Sequence, residues 1–403
     1  MAAKLLSFTF SSSSAQDGGD AGLLYTYWEC IWVEKMGPPR GVPARYNRPS
    51  VRVLHLFGDW KWTGPSEPVL DLCLELRAIG VDADLACQEA PPEAKGGLPE
   101  RARERGLAPL HVAPLRKTLW GALRDVGRVA EACRGYDLLH VHASHDHFVG
   151  GRAARKTGIP VVRTNHKAVP TGGLGARYLY RKLTDGYLTF SRTALDADVA
   201  AFGVRGRLID PAMRLERFAP REAPHEGFVA GVVARMQRHR RFDVLLEAVK
   251  LARVPDLRVL VVGRGTHMEE VAVEPARRLG LTNVTFTGYL GEKYLDTLAS
   301  FDCLLFLVPG SDGSCRAVRE AMAMGKAVVG ARRGMIPELV DDGTTGLVVD
   351  DTPEKLARAI EALAADRGRC RAMGAAGREK ALRLYGIRRQ AEAVRDFYRE
   401  ILG

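Results

Sequence analysis

Asp312 and Glu320 stand eight residues apart in GSDGSCRAVREAMAMGKAVVG. The first falls in a glycine-rich loop after an apolar run, the second about a turn and a half into the following helix. Gly313 and Ser314 suit a tight turn and an N-cap. The amides of Ser314, Cys315 and Arg316 then form an anion site at the positive end of that helix, and Arg316 adds a formal charge. Taken alone, the segment reads equally as a capped helix with two solvated acids. ARMQRHRRFD (234–243) places Arg235, Arg238, Arg240 and Arg241 within seven residues, with His239 among them. Guanidinium groups bond phosphate oxygens in pairs, so this is the strongest phosphate signal in the chain. Four of them cannot face one ligand, and Arg235 and Arg240 are the expected pair.

Two glycine-rich turns add backbone to the chemistry. VVGRGTHMEE (261–270) falls short of a dinucleotide fingerprint because Met268 occupies the third glycine position. Gly263 and Gly265 still suit a backbone nest beside a phosphate. FGDWKWTGPSE (57–67) offers Gly64 for close approach and Lys61, with two tryptophans, for a sugar or acceptor; anchoring the loop is the simpler role for the tryptophans. Four histidines crowd HVHASHDH, at 140, 142, 145 and 147. A metal site needs three or four to converge with a supporting shell. The expected role is cleft lining, represented by His142, with no metal. His166 closes the next strand in RTNHK, where an imidazole suits a polarising or acid–base role, or simply a place in the core.

These residues need elements to position them. Short apolar runs at 51–57, 82–87, 137–142, 159–166 and 186–192 alternate with helical patterns. A second series of strands follows at 227–235, 257–263, 283–289, 302–308, 326–331 and 346–349, again interleaved with helices. Such alternation predicts parallel sheets covered on both faces. The expectation is α/β: two facing, doubly wound, Rossmann-like domains at 51–210 and 211–385, with ligands beyond the carboxyl ends of the strands. Residues 1–50 combine a Ser/Gly-rich stretch with PPRGVPARYNRP and are expected to be a poorly ordered extension of unassigned role; Met36 is an alternative start.

Composition limits the classes. The 403 residues are 46% hydrophobic and 27% charged, the balance of a globular protein with a sizeable core. No run approaches the length needed to span a bilayer. The seven cysteines form no CxxC pair, which suits a reducing compartment. The net charge of +11 suggests an anionic partner. It is spread along the chain without a basic arm, which argues against a nucleic acid.

Together these residues resemble the family-4 retaining glycosyltransferases. The resemblance covers about 51–403. It is carried by the acid–x7–acid element and the EAMAMGKAVVGARRGMIPELVDDGTTGLVV that follows it, and by Arg235, FDVLLEA, VVGRG, NVTFTGYL and LERFAP. It implies the GT-B fold, with a last helix (386–403) crossing back to the first domain. It implies transfer of a sugar from a nucleotide-diphosphate sugar to a glycan or lipid-linked acceptor, with no required metal. Arg235 and Arg240 would hold the diphosphate with amides near Ser314, Cys315 and Arg316. Glu320 would accept from the ribose, Asp312 would hold donor-sugar hydroxyls, and His166 would sit beside the transferred sugar. The setting implied is cytoplasmic, at the inner face of an anionic membrane. Asp312 stands where the family has Glu, and Arg240 and Arg241 where it has Lys and Gly. The alternatives are another GT-B activity, such as a nucleotide-sugar epimerase or polysaccharide synthase, and a silent nucleotide-sugar-binding scaffold.

Overall fold

The computed structural model describes residues 50–112, 119–167, 169–221, 223–307 and 315–403. The extension before residue 50, Asp312 and Ser314 lie outside them. Seven parallel strands build the first sheet: β1 (Arg52–Phe57), β2 (Asp82–Cys87), β3 (Leu110–His111), β4 (Leu138–Val141), β5 (Val161–Asn165), β6 (Gly186–Thr189) and β7 (Gly206–Leu208), in the order 3-2-1-4-5-6-7. Six parallel strands build the second: β8 (Phe228–Val233), β9 (Leu257–Val262), β10 (Val284–Gly288), β11 (Cys303–Phe306), β12 (Ala327–Ala331) and β13 (Gly346–Val349), in the order 10-9-8-11-12-13. Both orders reverse direction beside the first strand of their sheet, which opens a crevice at the carboxyl ends.

The α/β architecture expected from the alternating pattern is present in both halves. The central strands are mostly apolar because helices cover both faces; β1, β4, β5 and β11 are buried almost end to end, including the polar His55, His140 and Arg163. Two edge strands of the first sheet, β3 and β7, escape the sequence pattern. They are two and three residues long, too short to show a period. The helical segment between β9 and β10 is interrupted. A π-helical turn at Glu269–Val273 precedes a short α-helix at Glu274–Arg278, because Pro275 removes a donor from the ladder.

Packing is close where β8 meets the helix side of β11. A Cβ on Gly231 would lie 2.0 Å from the Phe301 ring, and Phe301 is itself buried. Gly231→Ala is expected to lower stability by about 1–3 kcal/mol through overpacking, read as a lowered urea midpoint at unchanged slope.

The last helix, Ile387–Leu402, follows the second domain in sequence and packs on the first. The Phe397 ring stands 2.7 Å from where a Cβ on Gly186 would be. Gln390 Nε2 donates to Asp210 O at 2.7 Å, and the Tyr398 hydroxyl shares a 2.5 Å hydrogen bond with His140 Nδ1. All six described cysteines are buried, acting as small core side chains. Among the described residues, no helix is long and apolar enough to cross a membrane.

Candidate functional site between the two sheets

A cavity of about 910 Å³ lies between the domains at the carboxyl ends of the strands. The first domain contributes Gly64 from the loop after β1, His142 after β4 and His166 after β5. The second contributes Arg240 and Arg319. Four sequence-derived candidates, Gly64, His142, His166 and Arg240, therefore meet from both sides of one cleft, although their nearest sequence separation across it is more than seventy residues; Arg235, Gly263, Gly265, Cys315, Arg316 and Glu320 are not part of its lining. Gly64 faces open space: a Cβ added there meets nothing within 4 Å. Lys61 is exposed nearby, its ammonium over the Trp60 ring at 5.8 Å.

The histidines form a connected chain. His166 Nε2 is 3.1 Å from His142 Nδ1, and His142 Nε2 is 3.0 Å from His55 Nδ1. His55 Nε2 reaches the Tyr398 hydroxyl at 3.3 Å. Tyr398 reaches His140, whose Nε2 lies 2.7 Å from Thr164 Oγ1. Each link needs one donor and one acceptor, so four neutral imidazoles satisfy one another in a single direction. Burial holds His55 and His166 down at about 3; the charge of Arg163 adds to the effect at His166, and that of Asp84 opposes it at His55. His140 and His142 are pushed the same way, first by burial and then by neighbouring imidazoles and Arg163. His166 thus meets a substrate as a neutral imidazole, a hydrogen-bonding group and not a cation. Nitrogen atoms of His55, His140 and His142 also lie within 4.8 Å of one another. His55 bonds His142 directly and is joined to His140 through the Tyr398 hydroxyl.

On the second-domain wall the four arginines divide. Arg238 makes two bonds to Glu270 at 2.9 and 3.1 Å, and Arg241 bonds Asp351 at 2.6 Å. Arg241 has φ +54°, a backbone conformation that favours the glycine usual at this place in the family. Arg235 is exposed at the end of β8 with no ion pair among the described residues, and Arg240 lines the cavity. Gly263 and Gly265 have a different role from the phosphate nest expected of them. Added Cβ atoms would meet Ala234 O at 2.1 Å and Met236 O at 2.0 Å, and the Gly263 amide donates to Gly288 O. These glycines let the loop after β9 lie against the loop after β8.

The helix Arg316–Ala323 begins at Cys315, which is buried and left-handed at φ +35°. Arg316 was expected to serve an open anion site. Instead its Nε bonds Glu320 Oε1 at 2.6 Å and its Nη1 reaches across the cleft to Glu67 Oε2. Its charge is thereby met by two carboxylates. Glu320 is 4% exposed and receives the Tyr294 hydroxyl on its other oxygen at 2.5 Å. Burial opposes ionisation of Glu67, but Arg316, Arg217 and Arg105 outweigh it and hold its carboxyl below the usual range. A second tie runs through Glu338, which accepts from Ser191 Oγ at 2.9 Å and from the Arg192 amide at 2.8 Å, at the N-terminus of the first-domain helix Arg192–Phe202.

Three site residues have no sequence signal of their own kind. Glu67 is one acid among many on a helix whose partner lies 249 residues away. Asp146 sits within the histidine cluster; its buried carboxylate takes the amides of Gly58 and Ala143, each at 3.0 Å, and so fixes the loop after β1. Arg163 stands inside an apolar strand, and that misplacement was the available clue.

Comparison with known proteins gives the assembly a context. Residues 63–217 match the model for Glycosyltransferase Family 4, and residues 213–380 match that for Glycosyl transferases group 1. A GDP-mannose-dependent alpha-(1-6)-phosphatidylinositol monomannoside mannosyltransferase of Mycolicibacterium smegmatis is 31% identical over 293 residues, 66% of this chain and 72% of that protein. The chain belongs to glycosyltransferase family 4. A D-inositol 3-phosphate glycosyltransferase of Saccharomonospora viridis is 28% identical over 311 residues, 66% of this glycosyltransferase and 70% of that one. Among solved structures, Anabaena HepE in complex with UDP superposes with a TM-score of 0.75 at 18% identity, covering 87% of this chain and all of that one. This likeness supports the GT-B fold for the enzyme.

Proposed function

We propose that this glycosyltransferase moves a sugar from a nucleoside-diphosphate donor to a glycan or lipid-linked acceptor, with retained anomeric configuration and no required metal. The observation that carries the reading is the cleft itself. Its second-domain wall presents Arg240; Arg235 is exposed just past the end of β8 and Glu320 is buried on the helix Arg316–Ala323, both outside the cavity lining. A leaving diphosphate needs its growing charge met in place as the glycosidic bond breaks, and two guanidiniums supply that. Glu320 accepts from the ribose hydroxyls, which requires Tyr294 or Arg316 to give way on one oxygen. Asp312 holds donor-sugar hydroxyls, and neutral His166 donates to the transferred sugar from the opposite wall. One relative is named for GDP-mannose and one structural neighbour holds UDP, which support a nucleotide-sugar donor. The net charge of +11 supports a cytoplasmic enzyme that approaches an anionic membrane surface.

The test is a panel of UDP-, GDP- and ADP-sugars with candidate acceptors, read by product mass and by the anomeric proton coupling. One nucleotide sugar is consumed with a sugar added to the acceptor, and EDTA leaves the rate unchanged. Arg235→Ala lowers kcat/KM on the order of 100-fold. A protein that binds no nucleoside diphosphate, or that releases only an epimerised free sugar, would overturn the reading.

A further inference from the structure

Arg163 occupies the middle of β5 and is 6% exposed. Its Nε and Nη1 are buried and have no hydrogen-bond partner, and it makes no ion pair among the described residues. An arginine cannot shed its charge, and a buried charge left unpaired costs several kcal/mol. Three arginines less buried than Arg163 show the paired alternative. Arg105 pairs with Asp71, Arg214 with the same carboxylate, and Arg316 with Glu67 and Glu320. Arg163 is an exception with a direction, because it lines the cleft cavity. Asp146, a buried acid, feels the Arg163 charge, which works to lower its pKa, but it makes no ion pair with the guanidinium among the described residues; its Oδ2 takes the amides of Gly58 and Ala143.

The surroundings match in sign. Arg163, Lys167, Arg240 and Arg319 line the cavity, against a single acid, Asp59, among its described lining residues. The Lys167 ammonium is exposed and makes no ion pair among the described residues. Neighbouring imidazoles are neutral and supply no counter-charge. Arg235 and Arg240, at the end of β8, are the donor side of the proposed reaction; Arg163 and Lys167 belong to the first domain, across the cleft.

We infer that the acceptor carries an anionic group, a phosphate ester or a carboxylate, which seats on Arg163 with Lys167 at its rim. This rests on the glycosyl-transfer reading and adds the acceptor's chemical class. Nε and Nη1 of Arg163 lie on different edges of the guanidinium, so each offers a separate N–H to an anionic oxygen. The acceptor's charge then completes an ion pair that the free enzyme leaves half-made, so specificity against an uncharged analogue is built into the strand.

The experiment uses the full chain with the donor site saturated by UDP. Inorganic phosphate and acetate are titrated separately and followed by calorimetry and by thermal midpoint. The wild type binds at least one of them, and Arg163→Met weakens that binding about 100-fold. UDP affinity is unchanged in the variant. Its midpoint without added anion is equal to or above that of the wild type, because an unpaired buried charge has been removed. Arg163→Lys retains part of the anion binding. In turnover, acceptors are compared as the free sugar and as its phosphomonoester or uronate. The anionic form is preferred by the wild type through KM, and the preference disappears in Arg163→Met. Equal use of charged and uncharged acceptors, or a variant that is less stable yet binds the anions normally, overturns the inference. So does an Arg163 dependence seen only with uronic-acid donors. Failure to bind UDP at all overturns the glycosyl-transfer reading instead.

Discussion

Acidification from pH 7 to pH 5 is expected to remove most of the protein's folding stability. His55, His140, His142 and His147 are buried and held neutral, with burial the main cause at each. In the unfolded chain they take up protons near pH 6.5. The folded state does not, so the unfolded state binds more protons below that value and stability falls as pH falls. His55 and His166, each held at about 3, contribute about 2 kcal/mol of loss apiece between pH 7 and 5, and His140, His142 and His147 add to it in the same direction. Asp146 works in the other direction. Burial raises its carboxyl to about 6, against the amides that bond it, so its protonation favours the folded form and returns about 1 kcal/mol over the same interval. The net loss rivals the whole stability of an ordinary domain. Urea midpoints at half-unit pH steps, with fluorescence of the tryptophans as the signal, would show a steep decline beginning near pH 6.5. A flat profile down to pH 5 would mean that the histidine chain accepts a proton without opening.

Glu320→Ala is expected to reduce glycosyl transfer by roughly 100–1000-fold, the loss typical of removing one group that stabilises developing charge or fixes its partners. The carboxylate holds Arg316 on one oxygen and Tyr294 on the other. Its removal leaves a buried hydroxyl unpaired and lets Arg316 turn wholly to Glu67. Both the donor KM and kcat should suffer, since the ribose partner and the order of the helix start are lost together. Glu320→Gln keeps an acceptor for the ribose and is expected to retain more of the donor affinity than of the rate. Transfer within tenfold of wild type in Glu320→Ala would remove this residue from the proposed site.

Much of the framework was legible from periodicity alone. FDVLLEAVKL shows its buried face at i, i+3, i+4 and i+7, and the six strands of the second sheet each announce themselves as short apolar runs. What periodicity cannot carry is pairing across the chain. Glu67 and Arg316 look like unrelated surface charges until the cleft brings them together. Gly263 and Gly265 look like a ligand cradle, yet the nearest atoms are carbonyl oxygens of the adjoining loop. A glycine required by a phosphate and one required by a neighbouring backbone are identical in sequence. Arg238 and Arg240 differ in the same way: the first is taken by Glu270, and the second faces the cavity. Arg163 shows the reverse case, where a residue of the wrong polarity for its strand carried information that no motif held.

The last helix imposes an order on the making of the protein. Phe397 and Tyr398 fill the first domain's core, and Tyr398 joins the histidine chain through His55 and His140. The domain translated first therefore has to wait for the final sixteen-residue helix. At about 5–20 residues per second, synthesis of 211–386 occupies roughly 10–35 s. For that interval the nascent first sheet presents an open apolar face with polar histidines behind it, a state that invites chaperone binding or misassociation. The second domain can close its own core meanwhile. The enzyme's earliest-made half is thus its last to mature, and a ribosome that stops short of residue 387 leaves a folded donor-side domain tethered to an unfinished one.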